Sequence, residues 1–269
     1  MGEAIVFTSG KGGVGKTTCL ANIGAELSLL DKKVIMIDAD MGLRNLDVVM
    51  GYENLIVYNL KDLFERKCRL QQVFIRDHRY PNLYMIPASE EPFAFHAYEE
   101  QMTRLIQTLK QECDYLLIDC PAGIDQGFWF AVSSVDRAVI VTTPHVFSIK
   151  DAGKVTELLS SNRFLQMNLL INQVNQKLLK RKDMLSSSDV EEILDLPVLG
   201  VVPNNHRIVV SQNYGVPVGM IHKKSARPFR IIAKRVLTSR IIPIDLAEES
   251  KSTFLSTKWK KREVPYEIS

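Results

Sequence analysis

Only four cysteines occur in 269 residues, Cys19, Cys68, Cys113 and Cys120, and no two are spaced C-x-x-C. That scarcity excludes a disulfide framework. Three of the four lie in or beside apolar runs, so the thiols read as small packed hydrophobes in a reducing compartment. The five histidines, His78, His96, His145, His206 and His222, are scattered without a ligand spacing, and no histidine-held metal is expected. No apolar run approaches the roughly 20 residues that a membrane-spanning helix needs. The opening MGEAIVF puts an acid at position 3, where a secretory leader would be basic and then hydrophobic, so no leader is expected. Linkers of Gly, Pro and Ser, internal repeats and low-complexity tracts are also missing. Charge of neither sign dominates: 34 Lys and Arg face 31 Asp and Glu, a net +3, too balanced to imply a nucleic-acid partner by itself.

What is present is a recurring pattern. The runs AIVF, VIMI, NLYMI, YLLI, AVIVT, NLLI and VLGVV are nearly continuous in Val, Ile and Leu rather than alternating, as strands covered on both faces are. Residues 17–30, 99–112, 150–161, 187–194 and 226–237 carry apolar residues at helical spacing. One of Ser186, Ser187 and Ser188 is expected to cap the 187–194 helix, with Glu191 and Glu192 in its first turns. Strands alternating with helices predict an α/β fold: a doubly wound, mostly parallel sheet with helices on both faces, spanning residues 1–238, with a tail over 239–269.

The chemistry concentrates after AIVF. Gly10-x4-Gly15-Lys16-Thr17 satisfies the phosphate-loop pattern in a strand–loop–helix setting. Gly10, Lys11, Gly12, Gly13, Val14, Gly15, Lys16, Thr17 and Thr18 form the expected phosphate cradle. Its glycines let successive N–H groups turn toward phosphate oxygens, Lys16 neutralises the β- and γ-phosphates, and the Thr17 hydroxyl ligates magnesium. ATP and Mg2+ are therefore the expected substrate and ion. Asp38 and Asp40 end VIMIDAD and Asp119 ends YLLID, at the carboxyl ends of strands where open α/β sheets bind ligands. Asp38 and Asp119 are placed on the metal side with Thr17, and the Gly123 N–H is expected to sense the γ-phosphate.

GKGGVGKTT is a deviant phosphate loop with a second lysine. Together with VIMIDADMGLRNLDVVMG, YLLIDCPAGID, LLINQV and DVEEILDLPVLGVVPNNHRIVVSQNYGVPV it resembles the MinD family of septum-site-determining ATPases, within the wider class that includes ParA-type partition ATPases. The resemblance covers nearly the whole chain and implies a P-loop NTPase fold and a slow, partner-stimulated ATPase working as a nucleotide-dependent homodimer. It assigns Lys11 to the partner's phosphates across the dimer, as a catalytic group with Lys16 and Asp40, the last placing the attacking water. It puts Asn45 and Asp47 in the first switch toward the dimer face, Asn172 on the adenine edge and Pro203 over the base. Expected partners are a MinC-like septum inhibitor, a MinE-like topological-specificity factor and an anionic membrane. The implied location is cytoplasmic, peripheral on the inner face of the cell membrane in the ATP state, with an organelle stroma as an alternative.

The sequence departs from the family at Cys120, where a small polar residue is usual and where a thiol beside the site predicts sensitivity to oxidation. It departs too at Thr143 and His145, where an amide and a carboxylate are common, and at Gln173, where arginine often stands. No cysteine pair suits the bridging cluster of nitrogenase iron proteins. From Ser250 to Arg262 there are basic residues and no acid. Phe254, Leu255 and Trp259 project over about 140° of a helical wheel there, with Lys258 and Arg262 in the same arc and Lys251, Lys260 and Lys261 beside it. Segment 250–262 is read as an amphipathic membrane-targeting segment. A competing function is DNA partition, for which Lys177, Lys180, Arg181, Lys182, Lys223, Lys224, Arg227 and Arg230 would supply a basic patch. Placement of flagella or another polar structure differs from septum placement only in partners.

Overall fold

The structure is a computed structural model that describes residues 1–91, 94–162, 164 and 166–238. The chain runs β1 (Glu3–Thr8), α1 (Lys16–Ser28), β2 (Val34–Asp38), α2 (Asn45–Met50), α3 (Leu60–Phe64), α4 (Leu70–Val73), β3 (Ile75–Arg76), β4 (Leu83–Ile86), α5 (Glu99–Glu112), β5 (Tyr115–Asp119), α6 (Gln126–Val132), β6 (Arg137–Thr142), α7 (Val146–Ser161), β7 (Met167–Val174), α8 (Gln176–Arg181), α9 (Ser187–Leu194), β8 (Val198–Pro203), α10 (His206–Asn213), α11 (Val218–Ile221) and α12 (Arg227–Thr238). Among the described residues the strands form one eight-stranded sheet in the order β3-β4-β2-β5-β1-β6-β7-β8. Every pairing is parallel except β3 with β4.

Strand alternation divides the core in two. Ala4 and Val6 of β1 face a cluster with Leu105 and Ile106 of α5, Phe128 of α6 and Ile149 of α7. Ile5 and Phe7 face the opposite cluster, with Leu20 and Ile23 of α1 and Phe229 and Ile232 of α12. Both faces are therefore covered, which is why the strands read as continuous apolar runs. Phe229, Ile232, Ala233 and Val236 recur at i, i+3, i+4 and i+7, and all are buried. Each large side chain so buried contributes about 2 kcal/mol.

The expected long elements are all present; the differences lie at ends and in short pieces. α7 begins at Val146 rather than near 150; Val146 and Phe147 are exposed and break the apolar period, so the first turn does not show in the pattern. Ser186 is the serine that caps α9, in a reciprocal box with Asp189 rather than with a glutamate. β3 pairs over two residues only, Ile75 with Met85 and Arg76 with Tyr84, too short for an alternation to show. α2 is bounded by left-handed backbone at Arg44 and Gly51. Residues 239–269, with the membrane segment 250–262 and Phe254, Leu255, Lys258, Trp259, Lys260, Lys261 and Arg262, lie outside the described residues.

Candidate functional site

β1 sits mid-sheet; its connection leads to β2 on one side, while β6, β7 and β8 extend the other. The crevice at the carboxyl ends of such strands is where doubly wound sheets take ligands, and Ser9–Gly15 turns across it into α1. Gly15 caps α1 with φ 89°, a left-handed conformation that glycine adopts without penalty. A side chain there would also meet Asn172, whose Nδ2 lies 2.2 Å from an ideal Cβ at Gly15.

Asp119, fully buried at the end of β5, holds both functional residues that follow the loop. Lys16 Nζ donates to Asp119 Oδ1 at 3.0 Å and Thr17 Oγ1 donates to Oδ2 at 2.6 Å. Burial works against the Lys16 ammonium, but the Asp119 carboxylate beside it holds its pKa above the ordinary lysine value. Asp38 is the register partner of Asp119 on β2. Its oxygens accept from the backbone N–H groups of Asp40, at 2.9 Å, and Leu46, at 3.2 Å. Burial first, and then repulsion from Asp119, pushes Asp38 well above the usual carboxylate range. Burial and Asp119 raise Asp40 as well, against the pull of Lys16, and the Asn45 side chain hydrogen-bonds to it.

Carboxylates crowded around one ammonium suit a hard divalent cation. The oxygen donors of Thr17, Asp38 and Asp119 fit magnesium, which prefers one or two carboxylates completed by phosphate oxygens and water. Among the described residues no three His, Cys, Asp or Glu side chains form a cage by themselves. An ion here would depend on the phosphates.

Several expected site residues have partners or surroundings that the sequence does not show. The Gly123 N–H donates to the Ser9 carbonyl at 3.1 Å, so it closes the loop mouth instead of facing open crevice. Asn45 is exposed, but Asp47 is buried, turned inward where Arg44 Nε reaches its Oδ2 at 3.1 Å. Cys120 is fully buried and burial pushes its thiol up to about 12. A neutral thiol without access is unreactive, which overturns the expected sensitivity to oxidation. Lys11 is exposed, and its side chain makes no hydrogen bond or ion pair with any described residue. Thr143, one of the departures, is buried and donates from Oγ1 to Ser148 Oγ at 2.8 Å, pinning the first turn of α7.

The end of β7 adjoins the loop directly. Asn172 Nδ2 donates to Val14 O at 2.8 Å, and Gln173, in left-handed backbone at φ 58°, donates from Nε2 to Gly13 O at 3.0 Å. Nothing in the local sequence signals either clamp. Pro203 pairs with Val174 at the ends of β8 and β7 and lines a cleft with Lys177, Arg207, Lys223, Lys224 and Arg227. Lys177, Lys223, Lys224 and Arg227 of the suggested basic patch thus meet in one cleft. Arg230 does not join them: its Nε pairs with Glu26 Oε2 at 2.8 Å.

A family model described as "ParA: NUBPL iron-transfer P-loop NTPase" matches residues 1–237. The septum site-determining protein MinD of Bacillus subtilis (strain 168) is 40% identical over 259 residues, 95% of this chain and 96% of that protein. A putative MinD of Oltmannsiellopsis viridis is 43% identical over 256 residues, 94% of this chain and 81% of its own length. Among solved structures, the MinC:MinD cell division protein complex of Aquifex aeolicus superimposes with a TM-score of 0.82 at 38% identity, covering 90% of this chain and 98% of that one. MinD from Pyrococcus horikoshii complexed with Mg-ADP gives a TM-score of 0.77 at 25% identity, covering 94% and 100%. A phosphate loop closed by Asp119, a doubly wound sheet and these matches together place the chain in the MinD family of septum site-determining ATPases, within the ParA class of P-loop NTPases.

Proposed function

We propose that this protein is an ATP-dependent, dimerising ATPase that cycles on and off a membrane to place the cell-division site. The observation that carries the reading is the pairing of Lys16 and Thr17 with one buried carboxylate, Asp119, while Lys11, in the same loop, is exposed and unengaged. Phosphate would draw Lys16 and Thr17 off Asp119, so nucleotide entry re-partners the buried Asp119 and the Asp38 beside it. Magnesium, held by Thr17 with Asp38 and Asp119 near it, would neutralise the β- and γ-oxygens. Asp40, two residues beyond the end of β2, would orient the attacking water. Release of Gly123 from Ser9 would turn its N–H toward the γ-phosphate.

Two facing nucleotides bring dense negative charge into one interface, and closure needs fixed cations there. Lys11 supplies one in trans, which makes the dimer conditional on ATP. The exposed apolar residues Leu43 and Ile124, in the connections after β2 and β5, with Val146 and Phe147 at the start of α7, support a face that is covered in a dimer or by a partner. The complex in which the Aquifex relative is seen supports a MinC-like septum inhibitor as one such partner, and a MinE-like factor would trigger hydrolysis. No helix of the described residues is long and apolar enough to cross a membrane. Attachment would be peripheral, from the cytoplasmic side, through segment 250–262. One copy binds weakly; two copies on one dimer gain about a hundredfold by avidity.

A ParA-type DNA-binding reading is favoured only by the basic cleft. Co-sedimentation of the full chain with anionic liposomes and with nonspecific DNA, each in ATP and in ADP, beside a variant ending at Glu249, separates the two. ATP-dependent liposome binding lost with the tail is expected. Strong ATP-dependent DNA binding without lipid binding would replace this reading with the second.

A further inference from the structure

Thr18 is gripped from a distant part of the chain. Gln212, near the end of α10, donates from Nε2 to Thr18 Oγ1 at 2.6 Å. The Thr18 carbonyl accepts from Asn22 Nδ2 at 2.8 Å, and Asn22 Oδ1 accepts from the Val218 N–H, also at 2.8 Å. The connection from Gln212 to Val218 therefore holds Thr18 twice, by its hydroxyl directly and by its carbonyl through the buried Asn22. That connection is itself fixed. Gly215 N donates to Gln212 O at 2.9 Å and Val216 N to Ser211 O at 3.1 Å. Arg79 donates to Gly215 O at 3.0 Å and to Met50 O, the end of α2, at 2.6 Å. Gly215 and Gly51 touch so closely that a Cβ on either would come within 2.6 Å of the other's backbone.

A hydroxyl carries one proton and two lone pairs. The Gln212 amide occupies a lone pair of Thr18 Oγ1, and among the described residues no acceptor takes the Thr18 proton. Thr18 follows the metal-side Thr17 in the first turn of α1, next to the loop that cradles the α- and β-phosphates. We infer that Gln212 is a positioning residue of the nucleotide site: by donating to Thr18 Oγ1 it commits the Thr18 hydroxyl to donate to a phosphate oxygen that ATP and ADP share. The inference rests on the phosphate-site reading above. It also gives α10, which starts at the cleft that Pro203 and Asn205 line, a line of contact to the phosphate loop.

Gln212→Met keeps the length of the side chain and removes the donor, while Gln212→Glu substitutes an acceptor that would take the Thr18 proton for itself. Calorimetric titration with ADP and with ATP in Mg2+ should show Gln212→Met weakening both about three- to tenfold, the scale of one hydrogen bond. Gln212→Glu should weaken both further. Thr18→Val should cost the same alone as together with Gln212→Met, since the second change removes nothing that remains. KM for ATP should rise in the same proportion, with kcat constant within about twofold. A bracket that merely stabilised the fold would lower the unfolding midpoint of the nucleotide-free protein and produce neither the order of Met and Glu nor the coupling to Thr18. Wild-type nucleotide affinity in Gln212→Met, or losses that add to those of Thr18→Val, would overturn the inference while the phosphate site stands. Absence of nucleotide binding by the unmodified protein would overturn the phosphate-site reading and this inference with it.

Discussion

Asn172 donates from Nδ2 to the carbonyl of Val14 at 2.8 Å, so the residue expected to read the base is also a strut of the phosphate loop. An amide group has two N–H donors and one acceptor oxygen; with one donor spent on Val14, the oxygen and the other donor would remain for the proposed contact with the base edge. If Asn172 reads the base as proposed, base and phosphate recognition would be mechanically joined at this residue.

The first prediction follows from that joint. Asn172→Ala removes the partner of the buried Val14 carbonyl and should weaken binding of tripolyphosphate, which has no base, by about three- to tenfold. Competition against a fluorescent nucleotide measures this. Unchanged tripolyphosphate affinity would confine Asn172 to the base.

The two loop lysines should separate binding from assembly. Lys16→Ala should abolish magnesium-dependent ATP binding, because the phosphates lose the ammonium that Asp119 now holds at 3.0 Å. Lys11→Ala should retain ATP binding and lose ATP-induced dimers. Calorimetry beside light scattering distinguishes them, and normal dimers from Lys11→Ala would end the trans assignment.

Asp40 is buried, with Lys16, Asp119 and Asn45 around it. If it places water, Asp40→Ala should keep ATP, stay dimeric and lose turnover by roughly a hundredfold, the range of a positioned catalytic group. Partner-stimulated phosphate release at the ordinary rate would assign the water to another residue.

Stability has its own titrating element. Asp77 accepts from Tyr52 Oη and from Arg79 Nη2. Burial opposes its charge, but the Arg79 and Tyr52 hydrogen bonds win and hold the Asp77 carboxyl below the usual carboxylate range. A depressed folded pKa means stability that is present above the unfolded value, near 3.9, and that is lost as pH falls through the folded one. Denaturant unfolding followed from neutral pH to below 3.9 should show this acid-side loss, flattened in Asp77→Asn. Arg79→Met, leaving a buried carboxylate without its cation, should cost about 3 kcal/mol at neutral pH; a loss under about 0.5 kcal/mol, the scale of an ordinary surface change, would show that the pair is dispensable.

The parallel strands, the longer helices, the phosphate loop and the carboxylates at the ends of β2 and β5 were legible in the sequence because each is written locally. A doubly covered strand is an apolar run, a helix shows a 3.6-residue period, and a loop that wraps phosphate needs glycine and lysine at set spacings. Contacts across the fold leave no such trace. The Val14–Asn172 bond spans 158 residues and the Thr18–Gln212 bond 194, and neither amide has neighbours that announce it. Tertiary structure alone decided that Asp47 turns inward under Arg44, that Cys120 is sealed from oxidants, and that the Gly123 N–H rests on Ser9. Those outcomes depend on which groups the closed sheet leaves facing each other, a matter of three-dimensional proximity and burial to which residue type and spacing are blind.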